Sequence, residues 1–362
     1  MASPVSRVDV RAYAVSTDSP ESDGTFAWRA TTIVVVRIEA GGECGLGYVY
    51  ADRTAASLIE STLAEVVMRR DAMDVPGAWH EMTRAVRNLG RPGIASSAIA
   101  CVDVALWDLK ARLLDLSLAS LLGRVRDGIE IYGSGGFTSY EIPRLQEQLS
   151  GWTEEGIRIV KMKVGREPVL DVERVRAARD AIGPDCALFV DANGGYDRKQ
   201  ALGMAERFAE SGVTWFEEPV SSDDLAGLRL LRDRAPAGMD IAAGEYGYTL
   251  EYFRRMLEAG AVDVLQADAT RCAGITELLR VGALCAAFEV PLSAHTAPSI
   301  HAHVCCAIDK AIHVEYFHDH VRIERMFFDG VLEPADGRLV PDTGRPGLGL
   351  ELRDADAEQY AI

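Results

Sequence analysis

Residues 159–164 read Ile-Val-Lys-Met-Lys-Val, with Lys161 and Lys163 two positions apart in an otherwise apolar run. Lysine is scarce in this chain, which has only five. Side chains alternate along a strand, so the two ammonium groups share one face. Buried in a protein interior, that face needs carboxylates close by. The next three apolar runs end on them: Leu188–Asn193 closes with Asp191-Ala192-Asn193, Thr214–Pro219 with Glu217-Glu218-Pro219, and Ile241–Glu245 with Gly244-Glu245.

The same pattern extends in both directions. Ile129–Phe137 precedes the lysine run, and Val264–Asp268, Val290–His295 and Ile312–Tyr316 follow, giving eight runs at intervals of roughly 20 to 30 residues. Helical patterns fill the gaps. Near-continuous apolar runs read as buried parallel strands joined by crossover helices, and eight such units predict a TIM-like barrel. The eighth helix is weakly marked. In such barrels the reactive groups project from the C-terminal strand ends, and seven successive runs end in an ionisable residue: Lys163, Asp191, Glu217, Glu245, Asp268, His295 and Glu315.

The first 125 residues differ in character. Val8–Tyr13, Ala30–Ile38 and Cys44–Tyr50 predict a three-stranded antiparallel meander, with Asp18–Gly24 a polar, mobile loop between the first two strands. Helical patterns follow over Ala55–Arg69, Gly77–Asn88 and Ser96–Leu114, which makes an α+β domain. We divide the chain at 1–125, 126–335 and 336–362; the Gly-, Pro- and Asp-rich tail from about Phe327 is expected to return to the first domain.

Composition bounds the partners. The 362 residues carry a net charge of −17, which disfavours nucleic acid and anionic membrane surfaces. Residues 1–14 hold Arg7 and Arg11 but no apolar run, so no leader peptide is expected. The charge-free stretch Val290–Ile308 contains two prolines, three histidines and two serines, and reads poorly as a membrane span. Seven cysteines without a C-x-x-C pair point to reduced, buried thiols and a cytoplasmic setting.

Residue type suggests the chemistry. Asp191, Glu217 and Glu245 form an all-oxygen site suited to Mg²⁺, leaving positions for water and a bidentate carboxylate substrate. Lys161 is placed to neutralise the substrate carboxylate, which acidifies the α-C–H and favours an enediolate. Lys163 is the expected base, its pKa lowered towards neutrality by Lys161 and partial desolvation. His295 is a second acid/base on the opposite side, oriented by Asp268. Glu315, if protonated, would hydrogen-bond the substrate carboxylate.

This ordered set closely resembles the enolase superfamily, in particular its mandelate racemase subgroup. The resemblance runs through Lys161-Met162-Lys163, Asp191, Glu217 in Trp-Phe-Glu-Glu-Pro, Glu245, Asp268, His295 and Glu315, and it spans essentially the whole chain. It implies an α/β fold, a modified TIM barrel (β/α)₇β with an N-terminal α+β capping domain. It also implies Mg²⁺-assisted abstraction of the α-proton of a carboxylate, and a homo-oligomer between dimer and octamer. The muconate-cycloisomerase-like branch has a lysine where Asp268 stands here, and mannonate-dehydratase-like members lack the Lys-x-Lys pair. Many sugar-acid dehydratases have Asn after the third ligand, where this chain has Tyr246, which loosens any transfer of substrate identity.

The favoured reaction is dehydration of a sugar acid to a 2-keto-3-deoxy acid. A racemase or epimerase of a 2-hydroxy acid is the alternative, and an inactive barrel acting as a binding protein is a third reading. The segment Asp18–Trp28 is the expected lid, with Trp28 and Arg29 at its far end. Asn193, Tyr246, Tyr248, Thr296 and Ser299 are candidates for the pocket, and Arg271 for binding a distal carboxylate.

Overall fold

The computed structural model describes residues 2–362. Strands β1 (Val5–Ser22), β2 (Ala27–Ala40) and β3 (Glu43–Tyr50) form the antiparallel sheet of the N-terminal domain. Val34, Val36 and Ile38 of β2 pack with Ile99, Val102 and Leu109 of the long helix Ile94–Leu113 in one buried cluster. The segment expected as a mobile loop is largely strand. Glu21 pairs with Trp28 and Ser22 with Ala27, after a register shift between Ser16 and Glu21. β1 is an edge strand, where the polar residues and Pro20 that suggested a loop are tolerated. The turn proper is short: Asp23 Oδ1 accepts the backbone N–H of Thr25 at 2.7 Å and of Phe26 at 2.6 Å.

The barrel strands are β4 (Ile129–Gly135), β5 (Ile159–Lys163), β6 (Ala187–Asp191), β7 (Val213–Glu217), β8 (Asp240–Ala243), β9 (Val264–Ala267), β10 (Leu292–Ala294) and β11 (Ala311–Phe317). They are parallel neighbours in sequence order, and β11 pairs back onto β4 to close the ring. Each falls within a few residues of its predicted run. The lower lumen is filled by Tyr132, Phe189, Trp215, Ala242 and Val264, with Phe189 and Trp215 stacked at 4.9 Å. A packed base leaves the C-terminal rim as the open end.

Helix His318–Phe327 starts directly after β11 and attaches the barrel to the N-terminal sheet. Thr31 Oγ1 donates to Asp319 at 2.6 Å and Tyr48 OH to Glu324 at 2.6 Å. Its buried face is thus partly charged, which is why the sequence marks it weakly. In the tail, Arg338–Leu339 pairs with β4, and the backbone N–H of Ile362 donates to Ala12 O at 3.0 Å. All seven cysteines are free, Cys44 exposed and the others buried. Among the described residues, no helix is long and apolar enough to cross a membrane.

Candidate active site

Strand register brings the first reactive groups level. Lys163 on β5 is paired with Asp191 on β6, and Asp191 with Glu217 on β7. Glu245 lies just past β8, after Gly244. A Cβ at Gly244, where φ is +138°, would stand 2.0 Å from Gln266 O, so only glycine permits this approach to the rim. Asp191, Glu217 and Glu245 are buried, and one oxygen of each lies within 4.8 Å of those of the other two.

The two lysines are fully engaged. Lys161 Nζ donates to Glu217 Oε1 and Oε2 at 2.8 and 2.7 Å, lies 2.8 Å from Glu315 Oε1, and sits 5.2 Å above the Tyr132 ring. Lys163 Nζ donates to Asp191 Oδ2 at 2.5 Å. On the facing strands, His295 Nδ1 is 2.9 Å from Asp268 Oδ2, and its Nε2 lies 3.1 Å from Glu245 Oε2. Asp268 Oδ1 accepts the Thr270 N–H and hydroxyl, both at 2.7 Å, which fixes the carboxylate behind the imidazole.

These contacts correct two expectations. Burial alone would lower the Lys163 pKa, but the Asp191 carboxylate overrides it and raises the pKa above the ordinary lysine value. Lys161 opposes that rise without cancelling it. Glu315 is not protonated. Burial pushes it up, but Lys161, His295 and Lys163 pull it down to about 2. Its surroundings are cationic, and it serves as the counter-ion of Lys161.

His295 moves the other way. Burial disfavours its charge, yet Glu245, Glu315 and the Asp268 hydrogen bond raise its pKa to about 9. Burial would raise Glu245, but His295, Arg271 and Lys163 hold it well below the usual carboxylate range. Burial and Asp191 push Glu217 up to about 8, against the pull of Lys161.

Above this floor lies a cavity of about 540 Å³, lined by Lys163, Asn193, Glu245, Tyr246, Arg271 and His295 on the barrel side. Trp28, Thr31, Thr32, Tyr50 and Asp52 of the N-terminal domain complete it, with Phe317 at the end of β11 and His320 in the helix that follows. The β1–β2 hairpin presses onto the rim so tightly that a Cβ at Gly24 would stand 2.2 Å from Ala192 O. Trp28 Nε1 donates to Glu21 at 2.8 Å, which anchors the indole against the hairpin.

Thr296 lines the cavity, but Ser299 and Tyr248 do not: Ser299 Oγ donates to Glu324 at 2.6 Å, and the Tyr248 carbonyl accepts from Ser96 at 2.9 Å. Sequence reading missed Tyr50, Thr31 and Thr32, which nothing in local pattern connects to the barrel. It also missed His320, whose signal was its place three residues beyond the last strand.

The donor set fits a hard divalent cation such as Mg²⁺. Three buried carboxylates converge, and the neighbour of Glu245 Oε2 is His295 Nε2, 3.1 Å away.

Residues 8–123 match the mandelate racemase / muconate lactonizing enzyme N-terminal domain, and residues 144–357 match the enolase C-terminal domain-like family. The chain belongs to the mandelate racemase subgroup of the enolase superfamily, and is an enzyme. It is 32% identical to the L-talarate/galactarate dehydratase of Salmonella typhimurium over 90% of this chain and 81% of that one. A mandelate racemase/muconate lactonizing enzyme-like protein from Rubrobacter xylanophilus superposes with a TM-score of 0.98 at 56% identity, over 99% of this chain and 100% of that one. The L-talarate dehydratase of Polaromonas sp. JS666, complexed with Mg and L-glucarate, superposes with a TM-score of 0.91 at 31% identity, over 100% of this chain and 98% of that one.

Proposed function

We propose that the protein is an Mg²⁺-dependent hydro-lyase that dehydrates a sugar acid to a 2-keto-3-deoxy acid. Asp191, Glu217 and Glu245 hold the ion. The chemistry Mg²⁺ supplies when bound is charge neutralisation, both of the substrate carboxylate and of the Asp191 carboxylate that otherwise keeps the proton on Lys163. Lys161, buried between Glu217 and Glu315, presents a fixed positive charge to the same substrate end. Lys163 Nζ takes the α-proton, and the C–H electron pair passes into an enediolate. His295 Nε2 gives its proton to the β-hydroxyl, which leaves as water, and the resulting enol tautomerises to the ketone.

The observation that carries this reading is the His295 environment. Asp268 Oδ2, 2.9 Å from Nδ1, favours the charged imidazole, whose Nε2–H can protonate a leaving hydroxyl. Asp268 holds Nδ1, so Nε2 is the nitrogen directed at the cavity. Asn193 Oδ1, buried without a partner, is available to accept a substrate hydroxyl. Trp28, Tyr246 and Arg271 line the remaining wall.

A racemase or epimerase is the second reading, favoured by the presence of both Lys163 and His295 on one cavity. The test is a screen of mono- and diacid sugars with Mg²⁺, read for semicarbazone-forming keto acid and for α-proton exchange in D₂O. Keto acid supports the dehydratase; epimer without keto acid transfers the assignment to the racemase. Lys163→Ala and His295→Asn should each cut turnover by about 10²-fold or more. Near wild-type turnover in both would remove them from the chemistry.

A further inference from the structure

We infer that the substrate is a monocarboxylate, an aldonic-type acid whose end remote from the reacting carboxylate is uncharged. The inference deepens the dehydratase reading and rests on it for the direction in which the substrate lies.

Among the described residues, Lys163 and Arg271 are the only lysine and arginine on the cavity wall. Lys163 belongs to the reacting end. Arg271 stands in sequence where it could meet a distal carboxylate, but its guanidinium is already committed. Nη1 lies 3.3 Å from both the carbonyl and Oε1 of Glu245, and Nε lies 3.8 Å from Asp268 Oδ2. Its plane is further placed 5.2 Å from the Tyr246 ring centre. Two carboxylates therefore share its charge, on the Glu245 side of the cavity.

The wall contributed by the N-terminal domain has no cation. Its charged members are Asp23 and Asp52; Asp319, behind it, accepts the Thr31 hydroxyl at 2.6 Å and is neutralised by Arg322 at 2.8 Å, and Arg166, outside the lining, is spent on the Asp23 and Phe26 carbonyls at 3.4 and 3.2 Å. Asp52 is held below the usual carboxylate range by the Thr54 N–H, so it is ionised at neutral pH. His320, stacked on Tyr50 with ring centres 3.3 Å apart, is kept neutral by burial and by nearby His295. A carboxylate at this end would face Asp23 and Asp52 with no lysine or arginine of the cavity lining to pair with. A hydroxymethyl or other neutral end would meet the rings of Trp28, Tyr50 and Phe317 and the hydroxyls of Thr31 and Thr32. Like-charge juxtaposition is an effective means of rejecting the wrong partner.

The test compares aldonates and aldarates of matched configuration on the Mg²⁺-loaded enzyme, measuring keto-acid formation and deuterium incorporation at the α-carbon together. The aldonate should exceed its matched aldarate by about 100-fold or more in kcat/KM, the scale on which an unpaired polar group is rejected. An aldarate used as well as its matched aldonate overturns the inference and leaves the dehydratase reading standing. If no keto acid forms, deuterium exchange or epimerisation confined to aldonates upholds the inference while the dehydratase reading fails. Exchange favouring aldarates, or no turnover, exchange or calorimetric binding of any aldonate at millimolar concentration, overturns it.

Discussion

His295 links the stability of the metal-free protein to pH in a way that can be isolated. Its pKa is about 9 in the folded chain against an ordinary 6.5, so folding favours the charged form. That contribution is present in full below pH 6.5 and is lost as pH rises through about 9. At ~1.4 kcal/mol per pH unit, the interval corresponds to about 3 kcal/mol. The side chain is 8% exposed, so solvent screening removes little of this. The assay is urea unfolding in excess chelator, followed by tryptophan fluorescence, for wild type and His295→Asn across the window. Comparing the two proteins cancels the other titrating groups. The wild type's advantage should shrink by about 3 kcal/mol between pH 6 and pH 10. Glu245 is the strongest charge raising the imidazole pKa, so Glu245→Gln should bring the midpoint of the loss down towards 6.5. An advantage that stays constant across the window would refute the reasoning, because it would mean that His295 gains no proton affinity on folding.

Mg²⁺ should raise the melting temperature, by the equivalent of about 2.7 kcal/mol at one hundred times its Kd, and Asp191→Asn should abolish the gain in a thermal-shift assay. Lys161→Met leaves Glu217 and Glu315 buried without their shared cation, and a loss of about 3–5 kcal/mol is expected in urea unfolding; a loss under about 1 kcal/mol would show that the pair does not depend on it. Gly24→Val puts a side chain into Ala192 O and Val164 O, so the hairpin must lift from the rim. Steady-state kinetics should show kcat/KM reduced by about tenfold or more, as expected when a cover that excludes water is displaced, with the melting temperature little changed.

The reactive floor was legible because a parallel barrel converts spacing along the chain into position on a ring. Lys163, Asp191 and Glu217 needed only their strands and the rule that chemistry sits at the C-terminal ends. What spacing does not encode is who meets whom across the lumen. Lys161 on β5 pairs with Glu315 on β11, and Asp191 closes on Lys163; both expected protonation states changed once those partners were in place. The β1–β2 hairpin was misread for another reason. Asp18, Ser19 and Pro20 are turn formers by composition, but an edge strand makes weak demands on composition. The upper wall was beyond local reading altogether: Tyr50 reaches the cavity only because helix His318–Phe327 receives its hydroxyl, at the His320 carbonyl.

The charge balance of the floor binds these parts together. Asp191, Glu217, Glu218, Glu245, Asp268 and Glu315 are buried carboxyl groups, set against Lys161, Lys163, His295 and Arg271. Fully ionised, the acids exceed the bases by two, which is the charge of one divalent ion. Without that ion the excess must be relieved by protons, and the raised pKa values of Glu217 and Glu218 show where they go: burial comes first, then Asp191 for Glu217 and Glu245 for Glu218. Cation and protons therefore compete for the same carboxylates, and ion uptake must release protons. The Mg²⁺-induced gain in melting temperature should accordingly grow from pH 6 to pH 8, as Glu217 gives up its proton more readily. Glu245 faces both Lys163 and His295 and is the strongest charge raising the imidazole pKa, so an ion bound there should draw the His295 pKa down along with that of Lys163, leaving the Asp268 hydrogen bond to favour the charged imidazole.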